Sequence, residues 1–466
     1  MPCCKADLTG WCRNLPAVDY KDKEGNEYCL FHAPKNKKGI SLEEFNELVF
    51  KKIENEIDCD LSETIFEGDI DFKDKTLPAI NFSQAYFSGE AFFMATHFKG
   101  DAYFIGTLFG QNANFSQAKF EGAANFALAQ FESSTRFWDA RFGGRSDFGV
   151  SNFSKGADFS YANFGGEANF RGTAFGIGGN TVFYRATFSR GADFIGKTFY
   201  NEVVLSQLNI KEKIRFEGTD FTKVSFLHTD LRLIDFINPI WRKKYGRNLL
   251  YDEIKLFKKS DGRDIETKNK EIIKNIFHGL KRWVRKEFRG FQNNFFFDEE
   301  ESENVEILYR RLKQKYKEEH NEPEVSNWHY GEKEMFRKSN LWRRLLPSLS
   351  TLYWLSSGYG ERPVRAGIFL FLLIVSITIL FGIVGIEQIS QVGVSEVVAI
   401  KKWSDISNLD NFKHLLLNTL QQTTFDRNPD YIPKTLFGKY LKIFTQISIP
   451  LQTALFAFAI RNRFRR

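Results

Sequence analysis

Four of the five cysteines in this 466-residue chain, Cys3, Cys4, Cys12 and Cys29, lie near its start, and His32 follows shortly after Cys29. Thiolate sulfur and imidazole nitrogen suit a closed tetrahedral zinc site, and the short gap from Cys29 to His32 lets both ligands converge from one tight turn. The expected ligand set is Cys4, Cys12, Cys29 and His32, with Cys3 as the substitute for Cys4. The competing reading is a reduced, buried cysteine cluster without metal. Zinc would staple a segment too small to hold a core of its own. Met1 to Asn14 has no apolar run long enough for a secretory signal, so these thiols are expected in the reducing cytosol. Elsewhere the seven histidines are dispersed. No paired carboxylates, nucleophile with a base, or phosphate loop stands out, so the chain is not expected to be an enzyme.

A second set of polar residues sits near the C-terminus. Phe412 to Pro433 begins with an apolar helical half carrying Leu415, Leu416, Leu417 and Leu420. It continues as Gln421-Gln422-Thr423-Thr424-Phe425-Asp426 and closes with Pro429 and Pro433. It lies between two apolar stretches. Ala366 to Ile386 is uncharged and, at ~1.5 Å rise per residue, long enough to cross a ~30 Å hydrocarbon layer. Ile443 to Ile460 is shorter and is interrupted by Gln446, Pro450 and Gln452, and the alternative to a span there is an interfacial or buried helix.

Two spans enclosing a short helix and a polar turn resemble the two-transmembrane pore module of tetrameric cation channels. That resemblance implies pore-lining roles for Gln421, Gln422, Thr423, Thr424, Asp426, Gln446 and Gln452; for Gln446 and Gln452 the alternative is interhelical hydrogen bonding. Asp426-Arg427-Asn428 stands where the family's Gly-Tyr-Gly filter is expected, so a poorly selective pore is the form implied. Gly358-Tyr359-Gly360 precedes the first span and cannot serve as the filter.

The elements that must carry these sites are dominated by phenylalanine, 50 of the residues, roughly thirty of them in one internal repeat. From Phe82 the series runs Phe87, Phe93, Phe98, Phe104, Phe109, Phe115, Phe120 and Phe126, alternating spacings of five and six, and it continues to Phe175. A small residue sits two before most of them, as at Ala91, Ala102, Ala113 and Ala124, and Asn or Asp often sits immediately before. An eleven-residue period also fits a right-handed coiled coil, but Gly, Asn, Asp, Phe and Ser are poor helix formers. Ala113-Asn114-Phe115 and Ala168-Asn169-Phe170 instead resemble the pentapeptide-repeat family. That resemblance implies a right-handed quadrilateral β-helix, with Phe and the small residue pointing inward. About eight coils at ~4.8 Å would make a rod roughly 40 Å long. The extra residue in alternate units is expected to give wider or bulged corners on two of the four sides, and Gly176 to Asn180 to form an outward loop.

The expected organisation is a zinc-knuckle-like segment and helix at 1–58, the β-helix at 59–240, a charged helical cytosolic linker at 241–345 and a membrane module at 346–466. Within the module the spans are placed at about 366–386 and 443–460, with a re-entrant segment at 412–433. Ser41 and Glu44 predict a capping box for a helix over Leu42 to Ile57, with Leu48, Val49 and Ile53 on one face. The net charge is +7, and its excess lies between Trp241 and Arg365, with about 28 basic against about 20 acidic residues. Asp264 to Phe288 predicts a basic amphipathic helix, suited to an anionic membrane or to packing on its neighbours. Ser302 to Glu319 predicts another, carrying Val305, Leu308, Tyr309, Leu312 and Tyr316.

Leu308 to Lys313, His329 to Met335, Ser357-Gly358-Tyr359-Gly360-Glu361-Arg362-Pro363 and Phe456 to Arg465 resemble segments of a subset of bacterial pentapeptide-repeat membrane proteins. The resemblance implies a bacterial inner (cell) membrane location. Arg343, Arg344, Arg362 and Arg365 before the first span, and Arg461, Arg463, Arg465 and Arg466 after the second, place both termini in the cytoplasm. The expected protein is an oligomeric, ion-channel-like membrane protein with an unidentified cytosolic partner on its rod. The alternative is a membrane-anchored scaffold without conduction. Repeat proteins that mimic DNA need an acidic rod, so a nucleic-acid-related role ranks last.

Overall fold

The computed structural model describes residues 3–34, 36–176, 178–196, 199–244, 247–261, 299–339, 349–390, 393–398, 409–423, 431–433 and 435–464. The chain divides into two compact units, Met1–Lys315 and Tyr316–Arg466. The helix expected at Asp264 to Phe288 lies outside the described residues, as do Arg343, Arg344, Arg465 and Arg466.

The first unit is a four-sided parallel β-solenoid of sheets with seven, nine, six and eight strands. Each strand is mostly two residues long and pairs in register with the strand one coil away, as in Phe98↔Phe120 and Phe120↔Phe142. The alternation is that of a pleated strand. Ala113 and Phe115 are buried while Asn114 between them is half-exposed. Phenylalanines one coil apart stack nearly parallel: Phe104 and Phe126 at 4.7 Å, Phe126 and Phe148 at 5.0 Å. Opposite sides meet edge to face across the core, as Phe115 does Phe126 at 5.3 Å, an arrangement the ring quadrupole favours.

The Asn and Asp residues that precede Phe shape the corners. Asn81 Oδ1 accepts from Ser83 N, Asn125 Oδ1 from Ala127 N and Asp147 Oδ1 from Gly149 N, at 2.8–3.0 Å. These Asx turns lead into a residue of positive φ, such as Gln84 at 58°, Leu128 at 61° and Val150 at 57°. They occupy the five-residue units. One series of six-residue units, after Phe98, Phe120, Phe142 and Phe164, turns instead through glycines packed on one another. A Cβ at Gly144 would lie 2.4 Å from Gly122 O, and one at Gly166 would lie 2.4 Å from Gly144 O. The extra residue there makes a close-stacked corner rather than a merely wider one. Gly144→Ala is expected to cost about 1–3 kcal/mol, since backbone must move to admit the methyl; an unchanged denaturation midpoint would contradict this.

Gly176 to Asn180 does not loop outward. Gly176 N donates to Phe153 O and Gly178 N to Ser154 O, so its described residues lie along the preceding corner.

Both ends of the stack are covered. At the first coil, helix α1 (Ala6–Thr9) and a two-stranded sheet of Ala17–Lys21 and Glu27–Cys29 precede α2 (Leu42–Asn55). The Ser41 and Glu44 capping box is formed. The buried face of α2 is Phe45, Val49 and Ile53, while Leu48 is exposed. Phe45 sits 6.1 Å from Phe66, and Phe50 sits 5.4 Å from Phe72, extending two ring columns beyond the first coil.

At the other end the ladder passes beyond Phe236. Trp241 stacks on Phe221 at 4.8 Å, so the ring series does not stop before it as expected. Helices α3 (Tyr251–Asp261) and α4 (Glu299–Glu318) follow. Val305, Leu308, Tyr309, Leu312 and Tyr316 of α4 are all buried. Tyr309 Oη donates to Glu253, which pairs with Arg247 at 2.6 Å. Asp252 accepts from Ser225 Oγ and from Phe226 N of the last coils.

Burial pushes the Asp252 carboxyl up from 3.8 to about 6, against the opposing pull of the hydrogen bonds from Phe226 and Ser225. A folded pKa raised above the unfolded one gives stability present below pH ~4 and lost as pH rises through ~6, amounting to about 3 kcal/mol. Protection factors around Phe226, which discount the base-catalysed rise common to all amides, are expected to fall across that window in the wild type and not in Asp252→Asn; equal pH slopes would contradict it.

The second unit contains α5 (Glu322–Ser339), α6 (Leu349–Ser357), α7 (Pro363–Val384), α8 (Leu409–Gln421) and α9 (Leu436–Phe464). Helices α7 and α9 pack together, and α8 packs on α7. The first apolar helix begins at Pro363, whose fixed φ suits a helix start. The second is longer than expected and continues through Pro450.

Candidate metal centre and membrane segment

The ligand atoms of Cys3, Cys12, Cys29 and His32 all lie within 4.8 Å of one another, and all four residues are buried. Cys29 ends a strand, and the tight turn after it brings His32 back, with His32 N donating to Cys29 O at 3.1 Å. His32 Nδ1 is 3.3 Å from Cys29 Sγ and 3.4 Å from Cys3 Sγ. Ligands around a tetrahedral zinc stand about 3.5–3.8 Å apart, so the four atoms converge at nearly that spacing.

The other ring nitrogen, Nε2, donates to Ser62 O at 3.1 Å. A metal-binding imidazole fixed through its second nitrogen by a carbonyl is the usual support for such a site. Three thiols and one neutral imidazole thus fit a structural zinc ion. Burial pushes the Cys12 thiol up, pushes Cys29 up to about 12, and pulls His32 down. Metal binding at this cluster therefore competes with protons on sulfur and not on His32.

The sulfur taken from the Cys3-Cys4 pair is that of Cys3. Cys4 N donates to Glu27 O, and its side chain turns to Tyr28, outside the cluster. The two residues enter a turn closed by Ala6 N donating to Cys3 O, and only the Cys3 sulfur joins the cluster. Two supports were not visible in the sequence. Lys38, itself buried, donates from Nζ to Leu30 O and Phe31 O in the ligand turn. Ser62 acts through a main-chain carbonyl, which carries no side-chain signature, and its hydroxyl also accepts from Trp11 Nε1 at 3.3 Å.

The expected pore-lining residues divide in the structure. Gln452, buried in α9, donates from Nε2 to Ser356 O at 3.1 Å and Ala366 O at 3.0 Å, so it is engaged between helices. Gln446 is half-buried on α9. Gln421 and Gln422 lie at the C-terminal end of α8, where Gln422 is buried and donates to Asn418 Oδ1 at 3.1 Å. Thr423 follows and borders an open groove of ≈ 450 Å³ with Ile449, Pro450, Thr453, Ala454 and Ala457. Thr424 and Asp426 lie outside the described residues.

Asn418 and Thr419 of α8 are fully buried, and Thr378 Oγ1 of α7 bonds Thr419 Oγ1 at 3.1 Å. The segment does not return simply as a loop. Tyr431–Pro433 pairs antiparallel with Ile386–Ser390, which also pairs with Gly393–Val398. The strands begin right after Gly385 ends α7.

Much of the outer surface of α7 and α9 is apolar, with Phe371 66% and Ile447 64% exposed. Large exposed apolar side chains in such numbers suit lipid rather than water. Residues 82–128 and 104–151 match the family model of pentapeptide repeats in nine copies. No curated protein matches the chain. Coil geometry and matched residues agree: the chain carries pentapeptide repeats, and among the described residues its C-terminal unit has two apolar helices long enough to cross a membrane.

Proposed function

We propose that the chain is an oligomeric membrane protein in which α7 and α9 span the bilayer, α8 inserts part-way, and the solenoid is a cytosolic docking rod for a poorly selective ion pore. The observation that carries this reading is α8. Its 13 residues reach only ~20 Å, too short to span, yet it buries Asn418, Thr419 and Gln422 and ends with Thr423 over the groove of α9. A short helix ending in polar residues, packed against a span, is the arrangement by which irregular backbone is tolerated at membrane depth. Arg362 and Arg365 before α7, and Arg461 and Arg463 at the end of α9, put both termini in the cytoplasm by the positive-inside rule. The resemblance of the junction segments supports placing the protein in a bacterial membrane.

Ion flux into liposomes reconstituted with the purified chain tests the reading, together with particle images in detergent. Flux above empty liposomes from a symmetric ring of subunits is expected; a monomer with no flux sinks it. A second reading, a membrane-anchored scaffold, is favoured by Gln452, whose amide is engaged in helix packing rather than facing a lumen. Removal of residues 363–466 with full retention of partner binding and phenotype supports that alternative.

Cys3, Cys12, Cys29 and His32 are proposed to hold one structural zinc ion. Elemental analysis is expected to give one zinc per chain.

A further inference from the structure

The Gly358-Tyr359-Gly360 run, which cannot serve as a filter, forms an elbow between α6 and α7. Its three residues in succession hold positive φ, at 57°, 60° and 75°. Glycine adopts that region freely, but a bulky residue does so only when its surroundings hold it there. Tyr359 is 2% exposed. Its ring packs against Tyr330 at 5.3 Å and Tyr353 at 5.8 Å. Its hydroxyl lies 3.3 Å from Glu334 Oε2 and 3.3 Å from Lys333 O. Glu334 in turn pairs with Arg337 at 2.9 Å, both buried. Ser326 bonds the carboxylate of Glu361, and the Arg362 guanidinium lies 5.0 Å from the Tyr330 ring. Helix α5 thus grips the elbow along several of its turns.

Helix α9 grips the same residues from another direction. Asn462 Nδ2 donates to Gly360 O at 3.0 Å. The Gln452 amide bonds Ser356 O and Ala366 O, carbonyls on either side of the elbow. A Cβ on Gly360 would fall 2.7 Å from Phe458 Cδ1, so that ring packs directly on the elbow backbone.

We propose that the elbow Ser357–Arg362 is a mechanical joint coupling the polar helix α5 to the second apolar helix α9. Its two states are Tyr359 seated in the left-handed conformation and Tyr359 released to an ordinary one. Seating fixes the Gly360 carbonyl where Asn462 takes it, so a pull on α5 that unseats the tyrosine loosens the C-terminal end of α9. The inference rests on the reading of α7 and α9 as membrane spans. Coupling of this kind is reciprocal: whatever loosens α9 at the joint loosens α5 by linkage.

Hydrogen exchange of the full chain in lipid nanodiscs tests it. Tyr359→Phe keeps the ring and removes only the hydroxyl that reaches α5. It is expected to raise exchange of Phe456 to Phe464 about tenfold, alongside α5. Asn462→Ala, made on the other side, is expected to raise exchange of His329 to Arg337; it decides the matter if Tyr359→Phe does not fold. Each variant loosening only its own helix overturns the proposal. Free exchange of Pro363–Val384 and Leu436–Phe464 in the wild-type nanodisc sinks the membrane reading instead. Protected spans with no response to either joint variant sink the joint alone.

Discussion

Phe126→Ala is expected to lower the stability of the solenoid by about 3–5 kcal/mol, the usual loss for a fully buried phenylalanine truncated to a methyl. Phe126 is 0% exposed and stacks on Phe104 and Phe148 while its edge meets Phe115 and Phe137, the latter at 5.4 Å. The two-residue strands around it cannot collapse into the void, because each is pinned by hydrogen bonds to the coils on either side, as Phe104 N is to Asn125 O and Phe126 N to Asp147 O. In a solenoid each coil meets only its neighbours, so the loss is concentrated locally. Hydrogen exchange is expected to accelerate most over residues 104–148 and least at the terminal coils. Phe126→Leu is expected to be much milder, since the same column accepts a buried leucine, Leu61, in register with Phe82. Equal losses for Ala and Leu, or uniform loosening of every coil, would contradict the stacked-column account.

Stripping the metal centre is expected to have the other large effect. Cys29→Ser, or treatment of the wild type with a strong chelator, removes the tie among Cys3, Cys12, Cys29 and His32. Metal binding by small ligand clusters is folding free energy, so the N-terminal segment is expected to lose ~5 kcal/mol or more. The damage has a defined route. His32 Nε2 bonds Ser62 O, Ile65 N donates to Phe31 O, and Phe31 leads through Phe45 to Phe66 by rings 5.7 and 6.1 Å apart. Limited proteolysis is expected to cut within residues 3–40 and to expose the first strand, Asp58–Asp60, while the central coils stay resistant. Chelation that leaves the cleavage pattern unchanged would falsify a structural role for the metal. Cys4→Ser is expected to leave zinc content at the wild-type level, because that sulfur faces Tyr28.

The repeat was legible because its physics is local and periodic. The period left a coiled coil open; residue types unsuited to a helix, and the resemblance of Ala113-Asn114-Phe115 to pentapeptide repeats, implied a coil in which Phe and the small residue two before it point inward. The register of the coils then follows from the period. The helix over Glu299–Glu318 was legible for the same reason, its five apolar positions falling on one face. Trp241 was missed only because its residue type differs; its spacing of five from Phe236 continues the series.

By itself, then, the sequence determined the solenoid, its inward residues, the α2 capping box and two apolar helices, all of which depend on neighbours a few residues away or on a fixed period. The choice of Cys3 over Cys4 was decided only in three dimensions, because the hydrogen bond from Cys4 N to Glu27 O, a residue far along the chain, anchors the turn that sets which sulfur points inward. So were the bonding of Gln452 between helices and the short sheet around Ile386–Ser390, which join residues far apart in the chain. The role of Gly358-Tyr359-Gly360 was decided the same way. Its meaning lies in contacts to α5 and α9, which no spacing within the run encodes.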